Sequence, residues 1–384
     1  MNIRKKKGVW VWGIKLLPPF YYFFLCCEMS RKMTRDDVEA LALGGAILGG
    51  GGGGWYEDGK RDGFLALELG DVELLDPNQI DEEFTVITTA ALGAPTQKGE
   101  TKPRHFIRSV ELLRGAGFDF DGIIAAENGG HNSFGGWVQG AALGLPIVDA
   151  PCDGRAHPTA MMGGMGLHRE EGYVSVKAVV AEGIEVIALG TMENTSNIAR
   201  MVARDVKALV ALARDPITVG YALEHGAPGA ISKAIDLGKK VLKVRDKDPN
   251  DIVKAALDYL GGEIVAKGRV IEKMLEAKGG FDVGVVKIRE GTNVYEVSYM
   301  NEYMTLEREN ERIATFPDLV CTFGADGLPL TSASIKEGDK VFLTKTPKEL
   351  IPIGDGNRYA EIYDPVEKAL GKPMVKYLNG FLKG

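Results

Sequence analysis

The chain has 384 residues, 45% of them hydrophobic and 26% charged, with a formal net charge of −7 at pH 7. That balance excludes wholesale disorder, which needs few apolar residues and a high net charge, and disfavours a general binder of nucleic acid or anionic membrane. Glycine is the outlier, at 50 residues with no Gly-X-Y period; this is about twice the usual ~7%, so collagen is excluded and the excess belongs in turns and close backbone approaches.

In chain order, residues 4–7 are Arg-Lys-Lys-Lys, and an aromatic, apolar stretch runs from Val9 to Cys27. Lys15 interrupts it, Pro18-Pro19 would break a helix, and no small-residue cleavage site follows. Residues 16–27 fall short of the ~20 apolar residues a membrane span needs. Residues 1–32 therefore read as an atypical extension. A start placed too early is preferred over an export signal or a partner-binding arm. The four cysteines (Cys26, Cys27, Cys152 and Cys321) form no CxxC pair. The body of the chain reads as a reduced, cytoplasmic protein.

Thr34 is placed to cap a helix with Asp36 and Asp37 in its first turn, where carboxylates suit the positive end of the dipole. Its apolar pattern runs through Val38, Leu41, Ala42 and Ala46 to Leu48, and six glycines follow, Gly49 to Gly54. From Phe84 the pattern alternates: strands at 85–89, 123–126, 147–149, 173–180 and 185–189, and helices at 103–115, 133–143 and 194–213. Helices at 228–244 and 249–260 come next. Strand-like segments at 263–276, 281–290, 293–307 and 313–323 follow, joined by turns such as Gly279-Gly280. The predicted architecture is α/β: a largely parallel α/β domain over 33–225, a helical connection over 226–262, and a β-rich C-terminal domain over 263–384.

The glycine run matches GxGxxG and, through Gly54, Gly59 and Lys60, the spacing of a phosphate loop. A helix precedes it where both motifs require a strand, and Arg61 stands where a magnesium-binding hydroxyl belongs. Two readings stay open for Gly50, Gly51 and Gly52: amides that approach a planar or anionic ligand without side-chain clash, or a tightly packed linkage. The richest chemistry lies on two loops, each after a predicted strand: Glu127-Asn128-Gly129-Gly130-His131-Asn132, and Asp149 through Pro158. On adjacent parallel strands both loops open on one sheet edge, where such sheets bind ligands. Glu127, His131, Asn132, Asp149, Cys152, Asp153, Arg155 and His157 are expected to converge there. Glu127 and Asp149 are expected to face each other or a common ion. His131, His157 and His168 with a carboxylate offer metal donors, without HExxH-type spacing to support them. Cys152 reads as a buried spectator.

These motifs together resemble a known family. They are the helix into the glycine loop at 38–54, Glu127 to Asn132, Gly144-Leu145-Pro146-Ile147-Val148-Asp149-Ala150 with Gly154-Arg155-Ala156, Asn301-Glu302, and Phe316-Pro317-Asp318-Leu319. The chain resembles the S-methyl-thiohydantoin desulfurase family, linked to hydantoin utilisation, from about Met33 to Tyr377. The resemblance implies an α/β domain followed by a β-rich one, and hydrolysis at the sulfur-bearing carbon of a five-membered cyclic ureide with release of a thiol. Departures fall inside the expected site: Pro151, His157 and Thr159 stand where the family has Asp, Phe and Glu, and Trp55-Tyr56 where it has Asp-Pro.

The expected function is therefore a hydrolase acting on a hydantoin-like or S-methyl-thiohydantoin ring. Glu127 or Asp149 is read as general base or as ligand of a metal that activates water, with Arg155 and Asn132 steadying charge on the ring. Gly50, Gly51, Gly52, Asn301 and Glu302 are read as substrate contacts. A divalent metal such as zinc, held by His131, Asp153 and His157, is the cofactor considered. A small cyclic amide is the expected partner, with no nucleic acid and no membrane, and a homo-oligomer is expected. The alternatives are an accessory subunit of a hydantoinase/oxoprolinase-type assembly, or a nucleotide binder using the glycine loop.

Overall fold

The computed structural model describes residues 30–93 and 101–383. Of the N-terminal extension, residues 1–29 with Cys26 and Cys27 therefore lie outside the described residues. Ser30–Lys32 forms β1, antiparallel to β2 (Glu73–Leu75). Thr34 then starts α1 (Arg35–Leu48) through a capping box: its hydroxyl accepts from the Asp37 amide and its amide donates to the Asp37 carboxylate. Val38, Leu41, Ile47 and Leu48 of α1 are fully buried or nearly so, each side chain contributing about 1.5–3 kcal/mol by leaving water.

The glycine run joins α1 to a second helix, α2 (Tyr56–Leu69), not to a strand. The sequence hides α2 because its inner face is built on Gly59 and Gly63, which press against Gly130 and the Phe134 ring. Apolar periodicity has little to report there.

Next come β3 (Thr85–Leu92), α3 (Pro103–Gly115) and β4 (Gly122–Ala125). The predicted helix at 133–143 is a short 3-10 turn and then α4 (Trp137–Leu143), split at Gly136, which has a φ of 93°. Then follow β5 (Ile147–Val148), the hairpin β6 (Ser175–Ala181) and β7 (Ile184–Gly190), and α5 (Met192–Val206). The helix expected to reach residue 213 stops at Lys207, whose φ is 53°, and Val210–Thr218 is strand β8. Every residue of β8 is buried. A fully buried strand shows no alternation, so periodicity cannot separate it from a buried helix.

The eight strands form one mixed sheet, ordered β1-β2-β5-β4-β3-β8-β6-β7. Pairing is parallel through β2, β5, β4 and β3 and antiparallel elsewhere. The parallel half carries the crossovers α3 and α4, as βαβ units require. Helices α6 (Val219–His225), α7 (Ala230–Leu242) and α8 (Pro249–Leu260) lead to the second sheet. Its strands are β9 (Glu263–Lys278), β10 (Phe281–Glu290), β11 (Asn293–Met300), β12 (Glu302–Arg308), β13 (Glu311–Thr315), β14 (Leu319–Phe323), β15 (Pro329–Leu330) and β16 (Lys340–Thr346), and α9 (Asp364–Leu370) follows. All its pairings are antiparallel, in the order β13-β12-β11-β10-β9-β16-β14-β15. The segment expected as one strand over 293–307 reverses at Asn301, which has a φ of 60°. Asn tolerates that left-handed conformation better than most residues. The reversal is a tight hairpin whose tip carries Asn301 and Glu302 toward the first sheet.

Candidate active site

A cavity opens at the carboxyl ends of β3 and β4, as expected for a sheet with parallel strands. Leu92, Ala126 and Glu127 come from those strand ends, and His131 and Asn132 from the loop after β4. His157 and Thr159 come from the long loop after β5, Arg200 from α5, and Leu212 and Arg214 from β8. Gly53, Gly54 and Trp55 form one rim, and Asn301 and Glu302 enter from the second sheet.

Glu127 is buried. One carboxylate oxygen accepts from the Asn132 amide at 2.6 Å and the other from the His157 backbone N–H at 3.0 Å. Burial nevertheless dominates, and its pKa rises to about 7 despite those donors and the charges of Arg155 and Arg214. Glu302 is raised well above its ordinary value by burial and then by the charge of Glu127. Its Oε2 is buried with no hydrogen-bond partner. Two buried carboxyls that repel each other's charge hold on to protons, so at neutral pH the pair keeps at least one. His157 Nε2 lies 3.2 Å from Glu127 Oε2, though neither ring nitrogen has hydrogen-bond geometry. Burial holds His157 down to about 4, and it is neutral. The carboxylate pair anticipated between Glu127 and Asp149 thus exists between Glu127 and Glu302.

Asp149 lies elsewhere. Its two carboxylate oxygens accept from the Ile231 and Ser232 amides at 2.8 and 3.0 Å, capping the first turn of α7. The strand before it, β5, has only two residues, so the chain turns toward α7 before reaching the cavity. We expect Asp149→Ala to lower stability by about 1–3 kcal/mol, by stranding one buried and one part-buried amide, and to leave turnover unchanged. Urea unfolding beside an activity assay checks both.

Arg155 is also absent from the cavity wall. It is fully buried between the two sheets and donates to the carbonyls of Pro317 and Asp318 at 3.1 and 2.6 Å. Its guanidinium carbon stands 4.4 Å from the Phe316 ring centroid. The two motifs at 154–156 and 316–319 therefore meet as an interdomain latch.

Gly50, Gly51 and Gly52 are packed instead of free for ligand. Tyr303 and Ser332 donate to the carbonyls of Gly50 and Gly51, each at 2.8 Å. A Cβ on Gly52 would fall 2.0 Å from Glu302 Oε1, and one on Gly51 2.7 Å from the Tyr303 ring. The run is glycine because β12 and the 127–132 loop both press against it. Only Gly53 and Gly54 reach the cavity.

The proposed metal donors do not converge. His131 is engaged by Asp62 at 2.8 Å. Asp153 accepts from the Gly154 and Gly354 amides and from the Asn357 side chain. His168 stands beside Glu361. Among the described residues no three His, Cys, Asp or Glu side chains are grouped to hold a metal. The residues present thus do not fit the divalent ion considered from the sequence.

Three features were not read from the sequence. Arg200 donates to the Pro158 carbonyl at 2.8 Å and lies over the Phe281 ring. Arg214 is held by Asp215 at 3.0 Å and by the Gly163 carbonyl at 2.8 Å. Asp62 backs His131. Arg200 and the start of β8 were merged into one predicted helix ending at 213, just before Arg214, which concealed that the two arginines share a direction. Cys152 is buried beside Thr88 Oγ1 at 3.2 Å, as a spectator would be.

Comparison with known proteins agrees with this layout. Residues 36–189 match the family described as "S-Me-THD-like, N-terminal domain", and residues 191–350 match "S-Me-THD-like, C-terminal domain". The chain belongs to the S-Me-THD-like family. The same fold is seen in a crystal structure of a protein from Chromobacterium violaceum, with a TM-score of 0.67 at 18% identity, covering 88% of this chain and 96% of that one. No curated protein matches. In this S-Me-THD-like chain the Glu127–Glu302 cavity draws on both matched regions. No described helix is long and apolar enough to cross a membrane.

Proposed function

We propose that the protein hydrolyses a hydantoin-like ring, with an S-methyl-thiohydantoin as the substrate class, in the cavity that Glu127 and Glu302 share. The observation that carries this reading is the pair itself. A buried carboxyl poised near pH 7 can take a proton from water, while its neighbour, still protonated, donates one. Attack of water on the sulfur-bearing carbon needs both acts. Membership of the S-Me-THD-like family supplies the ring class. Asn132 orients the Glu127 carboxylate through its 2.6 Å hydrogen bond, and Arg200 contributes positive charge where the ring gains negative charge. The latch around Arg155 holds the second sheet in place, so that the hairpin tip keeps Glu302 opposite Glu127.

The test is direct. Purified protein is incubated with an S-methyl-thiohydantoin, and released thiol is followed with a thiol reagent while loss of the ring compound is followed by chromatography. Catalytic release by the protein alone is expected. Release only on adding a second protein, or binding without turnover, would defeat the proposal.

A further inference from the structure

The reaction above leaves a second polar couple unused: His131 on the cavity wall and Asp62 in the recess behind it. Asp62, on α2, lies with its Oδ2 2.8 Å from His131 Nε2. Its Oδ1 is 3.1 Å from the Arg61 guanidinium. Both partners are largely enclosed, with side-chain exposures of 8% for Asp62 and 14% for His131. Phe106 meets the imidazole edge-on at 6.2 Å between ring centres, and Phe134 and Val138 line the recess behind it. Burial pushes the Asp62 carboxyl up, but the hydrogen bond to His131 and the neighbouring Arg61 outweigh it and leave the group below its usual range. An ionised carboxylate accepts only, so Nε2 carries the proton in that contact. Nδ1 is then the nitrogen left for a ligand, and His131 lines the cavity next to Asn132 and Glu127.

The geometry points to Asp62–His131 as a second proton-transfer centre of this cavity, with His131 Nδ1 as the working atom and Asp62 as its positioning residue. This rests on the ring hydrolysis proposed above. The water oxygen bonds to the sulfur-bearing carbon as one water proton passes to Glu127, and the ring nitrogen of the opening C=N bond takes the proton of Glu302, so the pair still holds one. On collapse the hydroxyl proton passes to the free Nδ1 of His131 and the C=O bond forms. The C–S bond breaks with its electron pair on sulfur, and His131 passes that proton on to the thiolate. Both centres end as they began, so no co-reactant is needed. The charged and titratable groups facing His131 are Asp62, Arg61 and Asp58 from α2, and Glu127, His157, Arg200, Arg214 and Glu302 across the cavity.

Nitrogen NMR of isotope-labelled histidine in the full chain reads the tautomer, and His131→Gln assigns the signal among only five histidines. The neutral ring is expected to carry its proton on Nε2, and its Nδ1 resonance to move when hydantoin is added. Asp62→Asn should lower kcat on the order of a hundredfold with little change in KM, and Asp62→Glu should recover part of it. If Asp62→Asn does not fold, His131→Gln gives the same reading. A proton on Nδ1 in the unaltered protein, or a kcat within a few fold for His131→Gln, overturns the assignment. If the unaltered protein releases no thiol from any thiohydantoin, the proposed reaction fails. The dyad is then judged by the tautomer and the hydantoin-induced shift alone, and no shift defeats it.

Discussion

Glu127→Gln is expected to lower turnover by about a hundredfold to ten-thousandfold, the range for loss of a general acid–base group. The amide keeps the shape of the side chain and can still meet Asn132, so the fold persists. The sign for stability follows from the direction of the shift. A carboxyl raised to about 7 binds its proton more tightly in the folded state. Its contribution is present below the unfolded value of ~4.3 and is lost as pH rises through about 7. At pH 8 the unaltered protein bears a buried carboxylate that the variant lacks, so melting of Glu127→Gln at pH 8 should occur at the same or higher temperature. Glu302→Gln exchanges a protonated carboxyl for a neutral amide with no acidic proton to give. It should lower turnover and leave the rising limb of kcat/KM against pH in place, because burial, and not a charge on Glu302, raises Glu127. Thiol release measured between pH 5 and 9 for the three proteins checks all of this. A limb that moves to lower pH in Glu302→Gln would mean that Glu302 carries charge at neutral pH and is not the proton donor.

Asp215→Asn should cause the largest loss of stability, about 3–5 kcal/mol, the usual cost of breaking a buried pair from one side. Asp215 sits at a bulge in β8 with a φ of 51°, a conformation that Asn tolerates, so the substitution isolates the charge. Its carboxylate meets Lys177 at 3.2 Å, Arg214 at 3.0 Å, and the hydroxyls of Tyr173 and Ser175 at 2.8 and 2.7 Å. Burial pushes its pKa up, but the two cations prevail and bring it down to about 2. That stabilisation is present above the unfolded value of ~3.9 and is lost as pH falls through about 2. Lys177 is already lowered, to about 8, chiefly by burial. Without Asp215 its charged form becomes harder to bury, so the variant should suffer more at pH 6 than at pH 9. Urea unfolding at the two pH values measures the difference, and adding Lys177→Met should recover part of it. A loss under 1 kcal/mol at pH 6 would mean that water reaches the network. Arg214 faces the cavity, so slackening this network should also lower activity.

Local chemistry was legible wherever it acts over a few residues. Thr34 and Asp37 declare a helix start because the capping box needs only four consecutive residues. Pro103 and Pro249 mark helix starts for the same local reason. The loop from Glu127 to Asn132 could be placed at a sheet edge because a strand pattern precedes it and the handedness of crossovers is fixed. The sequence by itself thus determined the α/β start, the β-rich end, the family, and Glu127 with Asn132 as cavity residues. Only the tertiary structure decided which carboxylate faces Glu127. Asp149 and Glu302 are equally acidic in sequence. β5 is too short to deliver Asp149 to the cavity, and two amides at the start of α7 claim it. A left-handed turn at Asn301 brings Glu302 across from the other sheet. Likewise nothing local separates glycines that touch a ligand from glycines that touch Glu302 and Tyr303. That distinction depends on what the second sheet presses against them, a contact between residues some 250 positions apart in the chain.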